Sequence, residues 1–553
     1  MKPVKQLNSQ LVEPLLWALL AFLAAAAMLA FRPTPLFNDS YQYLTVAESL
    51  EHHHGLTTTL VHFDTERSHG RIPALLTTFP PGYPVLIAVT SVSDNFATAA
   101  RLVSCVCYAV TAGLLLWALL LTGVPVLLRQ FILFLFVTNA FLLGFATAVL
   151  TEPLFMLLST AGVVALIASE SGKPPERVVV LPAVLGYFLA GLAYWVRYAG
   201  LFLILAVVSY TLLQFVRQRN RIRAGLLLAT LIPIGLAAVL MVRNWVAVGS
   251  WKGGNNLPVH HPLREVSVDY ILAQQHLLFG RHPITFGVWE GLLLLGVLGL
   301  AAVLIPATGA RGAQGAAART KDRLQNADGP TLLVALCVLI YSLGIFYAGL
   351  RTMISFGTRM FLPILPLYLL LLGMALTWLL SRAQVSKQSV WLKGALLLGA
   401  VGYAGANARD LRKPVTPAIH EILAAEYAQP TATGQSLREW IESNLTPGEP
   451  VLADHGQATG YLLHRPTVSM VEARYSSARW ECDMVKNEMK RFGLRYVILY
   501  KPSASAPPDP LLAESDFAAT SASQQPSCGF VVAAENPYAR ILELPGAAGP
   551  EQQ

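Results

Sequence analysis

The feature that most constrains this chain is the recurrence of apolar runs about twenty residues long with few or no charges. Such a run crosses a bilayer as a helix, because lipid offers no partner to an unpaired backbone N–H or C=O. Runs of this kind fall near 14–31, 97–121, 131–150, 153–169, 178–196, 199–216, 224–247, 286–306, 331–350, 360–380 and 391–407. Composition excludes a soluble reading of the same pattern. Apolar and aromatic residues make up 54% of the chain and charged residues 13%, and mean hydropathy is +0.51. Glycine and proline contents are too ordinary for collagen or disorder, and five cysteines cannot staple a chain of this length. The expected fold is a polytopic α-helical membrane protein of about eleven transmembrane helices.

Charge orients it. Residues 408–553 hold 13 Lys+Arg against 17 Asp+Glu, whereas residues 1–407 hold 27 against 15. A basic chain can signal nucleic acid, but here the excess lies in loops between apolar helices, so no nucleic-acid partner is expected. Lys2 and Lys5, Arg129, Lys173 and Arg177, the run Arg217, Arg219, Arg221 and Arg223, the group Arg311, Arg319, Lys321 and Arg323, and Arg382, Lys387 and Lys393 all fall on one side of an eleven-span arrangement. By the positive-inside rule that side is cytoplasmic. The N-terminus is then cytoplasmic and the C-terminal segment extracytoplasmic, in a multi-pass protein of the inner (plasma) membrane. The first span also has the outline of a signal peptide ending at Met28-Leu29-Ala30; an uncleaved anchor is expected.

Two regions therefore face outward: a loop at 32–96 and a domain at 408–553, beside a transmembrane domain of residues 1–407. The loop holds amphipathic stretches at 39–51 and 81–92, suited to lying at the membrane interface. In the tail, Leu437–Asn444 and 479–492 read as helices. Val451-Leu452-Ala453, Tyr496–Tyr500, 529–534 and 540–544 read as strands. That is a small α/β domain, with a Ser/Ala/Pro-rich loop or insert at 502–527. No internal repeat and no nucleotide-binding Gly-rich motif is visible.

Ionisable groups near membrane spans are candidates for function. Asp39, in Phe37-Asn38-Asp39-Ser40-Tyr41-Gln42-Tyr43, begins an interfacial helix. By local spacing it fits first a helix cap completed by Gln42 three residues on, and then a carboxylate held at the membrane surface as a general base. Glu152, in Thr151-Glu152-Pro153, opens a span; it fits a partner of the helix dipole beside a first-turn proline, or a functional acid. Phe79-Pro80-Pro81-Gly82-Tyr83-Pro84 starts the second interfacial helix. Tyr194-Trp195-Val196-Arg197-Tyr198 and Gly357-Thr358-Arg359-Met360-Phe361-Leu362-Pro363 place arginines at external span ends.

Taken in order, these segments resemble the C superfamily of glycosyltransferases (GT-C), which use polyprenyl-phosphate sugars. That group includes protein O-mannosyltransferases, the lipid A aminoarabinose transferase and many bacterial relatives. The resemblance covers about residues 10–410, and the tail is similar to the extracytoplasmic domain of such bacterial proteins. It implies that Asp39 is the catalytic carboxylate and that Glu152 matches the Glu such proteins carry at this span. Many relatives have Asp-Glu at the first position; here Ser40 replaces the Glu, which sets the chain apart from the mannosyltransferase branch.

The implied function is transfer of a sugar from a polyprenyl-phosphate-linked donor to a lipid, glycan or protein acceptor on the extracytoplasmic face. Asp39 would take the acceptor proton, and single displacement would invert the anomeric carbon. The departing phosphate is an anion, which fixed guanidinium groups stabilise. Arg197, Arg351 and Arg359, with Arg243 and Lys252 behind them, lie opposite the positive-inside clusters and are the candidates for that contact. Tyr41, Tyr43 and Tyr83 are the candidate substrate contacts. His52-His53-His54, with His62, Asp64, Glu66 and His69, suggests a metal. Three consecutive histidines on a helix point about 100° apart, however, and a solvated loop is expected, as for His260-His261. Some GT-C relatives bind a divalent metal near this loop, so no cofactor is assigned and a divalent metal stays open. Asp454-His455-Gly456 reads as a turn, or as a site at a strand end. The alternatives from other classes are a transporter or flippase of lipid-linked sugars, and a glycan polymerase or ligase. Transporters place polar groups at the midplane of repeated halves; here they gather at span ends and no repeat shows.

The topology makes a direct prediction. A reporter fused after residue 410 should be active only outside the cytoplasm, and a fusion active only inside it would overturn the orientation.

Overall fold

The computed structural model describes residues 2–62, 70–92, 95–170, 179–253, 261–279, 329–351, 357–382, 390–412, 417–470, 481–501 and 528–546. The expected span at 286–306, the 502–527 insert, Asp64, Glu66, His69 and His260 lie outside them. The chain divides into two compact units. One comprises residues 1–34, 101–240 and 260–414; the other comprises 35–100, 241–259 and 415–553.

The first unit is helical. Seven helices in the described chain are long and apolar enough to cross a membrane: Val12–Phe31, Phe96–Leu121, Glu152–Glu170, Gly200–Arg217, Arg221–Val248, Gly329–Arg351 and Thr358–Ser381. An eighth arises if the pair Val126–Thr138 and Ala140–Ala146, bent by 60°, counts as one span. Val180–Val196 is shorter, and Val390–Leu411 is not among the seven. Their surfaces are those of helices in lipid: Leu398 is 74% exposed and Trp391 89%, which water would not tolerate in a continuous band.

The bend shows how polar groups survive in such a setting. Asn139 sits at the break, its Oδ1 accepting from Leu142 N at 2.8 Å while its Nδ2 donates to Leu277 O and to the Tyr403 hydroxyl. Asn407 Oδ1 accepts the freed Ala140 N–H at 2.7 Å. Side chains thus restore the bonds the helix loses. Elsewhere small residues allow close approach: a Cβ built on Gly186 would stand 2.9 Å from Gly162 O and 2.7 Å from a Leu166 carbon. This draws the antiparallel helices Glu152–Glu170 and Val180–Val196 together, so the start of one lies beside the end of the other.

The second unit is α/β. Its strands are β1 (Thr57–Thr58), β2 (Leu60–His62), β3 (Ala74–Leu75), β4 (Val451–Ala453), β5 (Thr467–Ser469), β6 (Tyr496–Tyr500), β7 (Val531–Glu535) and β8 (Ala539–Glu543). β1 and β3 form a two-stranded antiparallel ribbon; the others form one sheet in the order β2-β5-β4-β6-β8-β7. The β2, β5, β4 and β6 pairings are parallel, and β6–β8–β7 is antiparallel. All five residues of β6 are buried, as a continuous apolar strand in a sheet covered on both faces requires. The helices Leu437–Asn444 and Cys482–Phe492 and strands β4, β6, β7 and β8 correspond to the sequence expectation.

Residues 60–62 do not. Read as loop, they are an edge strand of the tail's own sheet, and Val61 and Ala74 pack in its core with Leu452, Val468, Met489 and Val497. The linear division at residue 407 therefore differs from the compact one, in which the 35–100 loop folds with the tail. Gly460 is needed at this junction: a Cβ there would come 2.4 Å from Leu60 Cδ2.

Cys482 and Cys528 are disulfide-bonded, with Cα atoms 5.5 Å apart; Cys105, Cys107 and Cys337 are free and buried. The bond closes a loop of 46 residues, so Cys528→Ser should lower stability by about 3–4 kcal/mol on the loop-entropy scale. A detergent-solubilised variant whose unfolding midpoint matches the wild type would refute this.

Candidate functional site

Helix Glu152–Glu170 opens with Glu152 in its first turn, where the helix dipole favours an anion. Helix Val180–Val196 ends with Arg197 as its C-cap, in extended conformation, where the dipole favours a cation. Because these helices run antiparallel against each other, the two residues meet. Arg197 Nη1 lies 2.7 Å from Glu152 Oε1 and donates to Thr151 Oγ1 at 2.8 Å. Arg359 comes from a 3₁₀ turn, Thr358–Met360, and its Nε is 3.5 Å from the same carboxylate oxygen. The Tyr341 hydroxyl, itself buried, fixes that turn by donating to Met360 O at 3.0 Å. Arg197 Nη2 contacts the Met360 sulfur at 3.7 Å.

Glu152 is fully buried, while the side chains of Arg197 and Arg359 are 14% and 31% exposed. Neither guanidinium gives Glu152 Oε1 a well-aligned hydrogen bond; the attraction is of charges in close contact. Arg359 is the more accessible of the two cations. Sequence placed all three charged residues at external span ends. It gave no sign of Tyr341, one tyrosine within an apolar span.

Each of the other predicted residues has its own local surroundings. Arg351 ends helix Gly329–Arg351 with its side chain exposed. Lys252 stands over the Trp251 ring, 5.1 Å from its centre. Arg243 donates to Asn244 Oδ1 at 3.3 Å. It also lines a cavity of about 920 Å³ with Arg71, Leu75, Val246 and Ala247. Arg71 gives no distinguishing signal in the sequence, where it is one of several ionisable residues in a polar loop.

Asp39 lies in the first turn of helix Asn38–Glu51, partly buried. It is not the cap. Phe37 occupies that place with extended backbone and offers no side-chain acceptor, while Ser40 Oγ accepts the Phe37 N–H at 3.0 Å. Gln42 closes no capping box; it is buried and donates to Leu60 O at 3.4 Å. Tyr41, Tyr43 and Tyr83 are buried to 2% exposure or less. Tyr43 packs edge-on against Phe79 and Tyr83, and the Tyr41 hydroxyl is 3.0 Å from His420 Nδ1. Their side chains are engaged in packing.

His52 is the C-cap of the Asn38–Glu51 helix and His53 takes a left-handed φ of 62°, so the three histidines end the helix rather than continue it. Among the described residues no group of three or more His, Cys, Asp and Glu is placed to hold a metal. Asp454 forms a turn: its Oδ1 accepts from His455 N at 2.8 Å and its Oδ2 from Tyr500 N at 2.7 Å.

Compared with known proteins, the sequence matches no family model and no curated protein. The structure is similar to ArnT from Cupriavidus metallidurans bound to undecaprenyl phosphate, with a TM-score of 0.50 at 15% identity over 98% of this chain and 100% of that one. It is similar also to the apo oligosaccharyltransferase of Archaeoglobus fulgidus, with a TM-score of 0.52 at 12% identity over 88% of this chain and 69% of that one. The same holds for AglB of that organism in complex with an inhibitory peptide and a dolichol-phosphate, at a TM-score of 0.51, 12% identity and the same coverage. At such identities the likeness is one of fold alone, that of a multi-pass helical membrane protein.

Removing the shared carboxylate should be costly. Glu152→Ala leaves Arg197 largely buried without that partner and is expected to destabilise the protein by about 3 kcal/mol, read as a lowered unfolding midpoint in detergent. Glu152→Gln should lose less than the alanine variant, since the amide fills the same space, but more than nothing, since it lacks the charge that draws the two guanidiniums.

Proposed function

We propose that this chain is an integral membrane glycosyltransferase that moves a sugar from a polyprenyl-phosphate donor to a lipid, glycan or protein acceptor on the extracytoplasmic face. The observation that carries the reading is the convergence of Arg197 and Arg359 on buried Glu152 at the ends of apolar helices, within a fold shared with ArnT and the oligosaccharyltransferase. Neighbours of that fold hold undecaprenyl phosphate and a dolichol-phosphate. A cavity that combines the Arg71 and Arg243 guanidiniums with Leu75, Val246 and Ala247 suits the same chemistry, a phosphate at the head of a hydrocarbon chain.

In this mechanism the acceptor hydroxyl or amine gives its proton to Asp39 as it attacks the anomeric carbon. The bond from that carbon to the phosphate oxygen breaks, its electron pair leaves on the phosphate, and configuration inverts. Arginines stabilise the charge that develops on the leaving oxygen. Arg359, the more exposed, makes contact; Arg197 and Glu152 hold the local charge in place. Arg351, Arg243 and Lys252 complete the cationic set. The sugar and acceptor follow from incubating purified protein with a panel of labelled polyprenyl-phosphate sugars.

Asp39→Asn tests the base. Asn retains size but cannot take a proton, so the variant should fold and bind donor yet transfer at least about a hundredfold more slowly. Arg359→Ala should weaken donor binding as well as turnover, because a phosphate contact exists before and during reaction. Wild-type turnover in Asp39→Asn would remove Asp39 from the chemistry.

A further inference from the structure

The first turn of helix Asn38–Glu51 carries Asp39 yet lacks a side-chain cap at Phe37. Helix ends fray unless something holds them, and a general base must be held within a fraction of an ångström. The hold comes from the tail. Tyr41 lies two residues beyond Asp39, about 200° around the helix, so it grips the helix from behind while Asp39 keeps partial access to solvent.

The Tyr41 side chain has no exposure and packs between two tail residues. His420 crosses it edge-on, with ring centres 5.5 Å apart, and Tyr461 lies 5.1 Å away. The His420 backbone N–H points to the Tyr41 hydroxyl oxygen at 3.4 Å, which directs the hydroxyl proton to His420 Nδ1, 3.0 Å away. Burial pushes the Tyr41 hydroxyl well above its ordinary titration range, so it stays a donor. A second grip comes from the next residue: Gln42 donates to Leu60 O, eighteen positions on, and Leu60 belongs to β2, paired with β5 of the tail. Thr467 N donates to Thr59 O at 2.9 Å in the same junction.

We infer that His420 is a positioning residue: through its bond to Tyr41 the C-terminal segment fixes the helix that presents Asp39, making the tail a working part of the catalytic loop. This rests on the reading of Asp39 as the base. It assigns a role in transfer to a residue that touches neither substrate nor reacting atoms.

The test uses purified full-length protein and three measurements: backbone hydrogen exchange over residues 38–51, binding of undecaprenyl phosphate, and kcat with the labelled donor that the wild type uses. In His420→Ala, exchange over 38–51 should quicken and kcat should fall by about tenfold or more while undecaprenyl phosphate binding holds, as for a displaced catalytic group. His420→Asn places an amide oxygen near the lost Nδ1 and should restore kcat to within about threefold of wild type. Tyr41→Phe should match His420→Ala, and the double variant should be no worse than either.

Unchanged exchange over 38–51 in His420→Ala overturns the inference, as does quickened exchange with wild-type kcat, or an Asn variant no better than Ala. An inactive Asp39→Asn beside a normal His420→Ala overturns the inference alone. Wild-type turnover in Asp39→Asn overturns the base, and the catalytic role of His420 with it, whatever the exchange shows.

Discussion

A carboxylate shut away from water must be met by nearby cations or give up its charge, and the arrangement around Glu152 follows from that demand. Two guanidiniums reach it from separate segments, one at the end of the neighbouring antiparallel helix and one on a 3₁₀ turn far along the chain. Each is held by something else: Arg197 by Thr151, and the turn bearing Arg359 by Tyr341. Apolar side chains of similar volume often stabilise as well as a buried ion pair. Stability alone therefore does not account for the charges at this position.

The opposite end of the same helix shows an ion pair with a structural role. Glu170 accepts two parallel bonds from Arg223, at 2.6 and 2.7 Å, and one from the Tyr210 hydroxyl at 3.1 Å. Arg223 is almost fully buried. In the sequence it looks like one more cation in the cluster that fixes orientation. In the structure it is a fork-to-fork clamp joining helices Glu152–Glu170 and Arg221–Ala229. The helix that carries Glu152 is pinned by charge at both termini and packed by small residues between.

The other unit depends on a different constraint, the pairing of strand edges. A short parallel sheet with an open β5 edge would expose unpaired backbone groups. The chain fills that edge with β2, a segment distant in sequence. Through this strand, Gln42 and Tyr41, the loop helix inherits the rigidity of a sheet whose central strand is wholly buried.

Helices and strands were legible because their signals are local. Apolar runs of fixed length gave most of the spans; the bounds Leu437–Asn444 and Tyr496–Tyr500 follow from composition and period. The polar end residues Glu152, Arg197 and Arg359 stood out because orientation by loop charge does not explain them. Asp39 stood out as an acid at a helix start, but spacing alone pointed to a capping role there, whereas the N-terminal position belongs to Phe37, which has no capping side chain. The partners were invisible: Tyr341, His420, Tyr461 and β2 have ordinary residue types in ordinary surroundings, and the roles of the last three arise from residues hundreds of positions away. Sequence by itself determined that this chain is a bundle of membrane helices with charge at their ends and an α/β tail, since bilayer thickness and side-chain period act on contiguous residues. Only the tertiary structure decided which charges meet, and that the first loop folds with the tail, since those contacts depend on close approach between segments that no local pattern records.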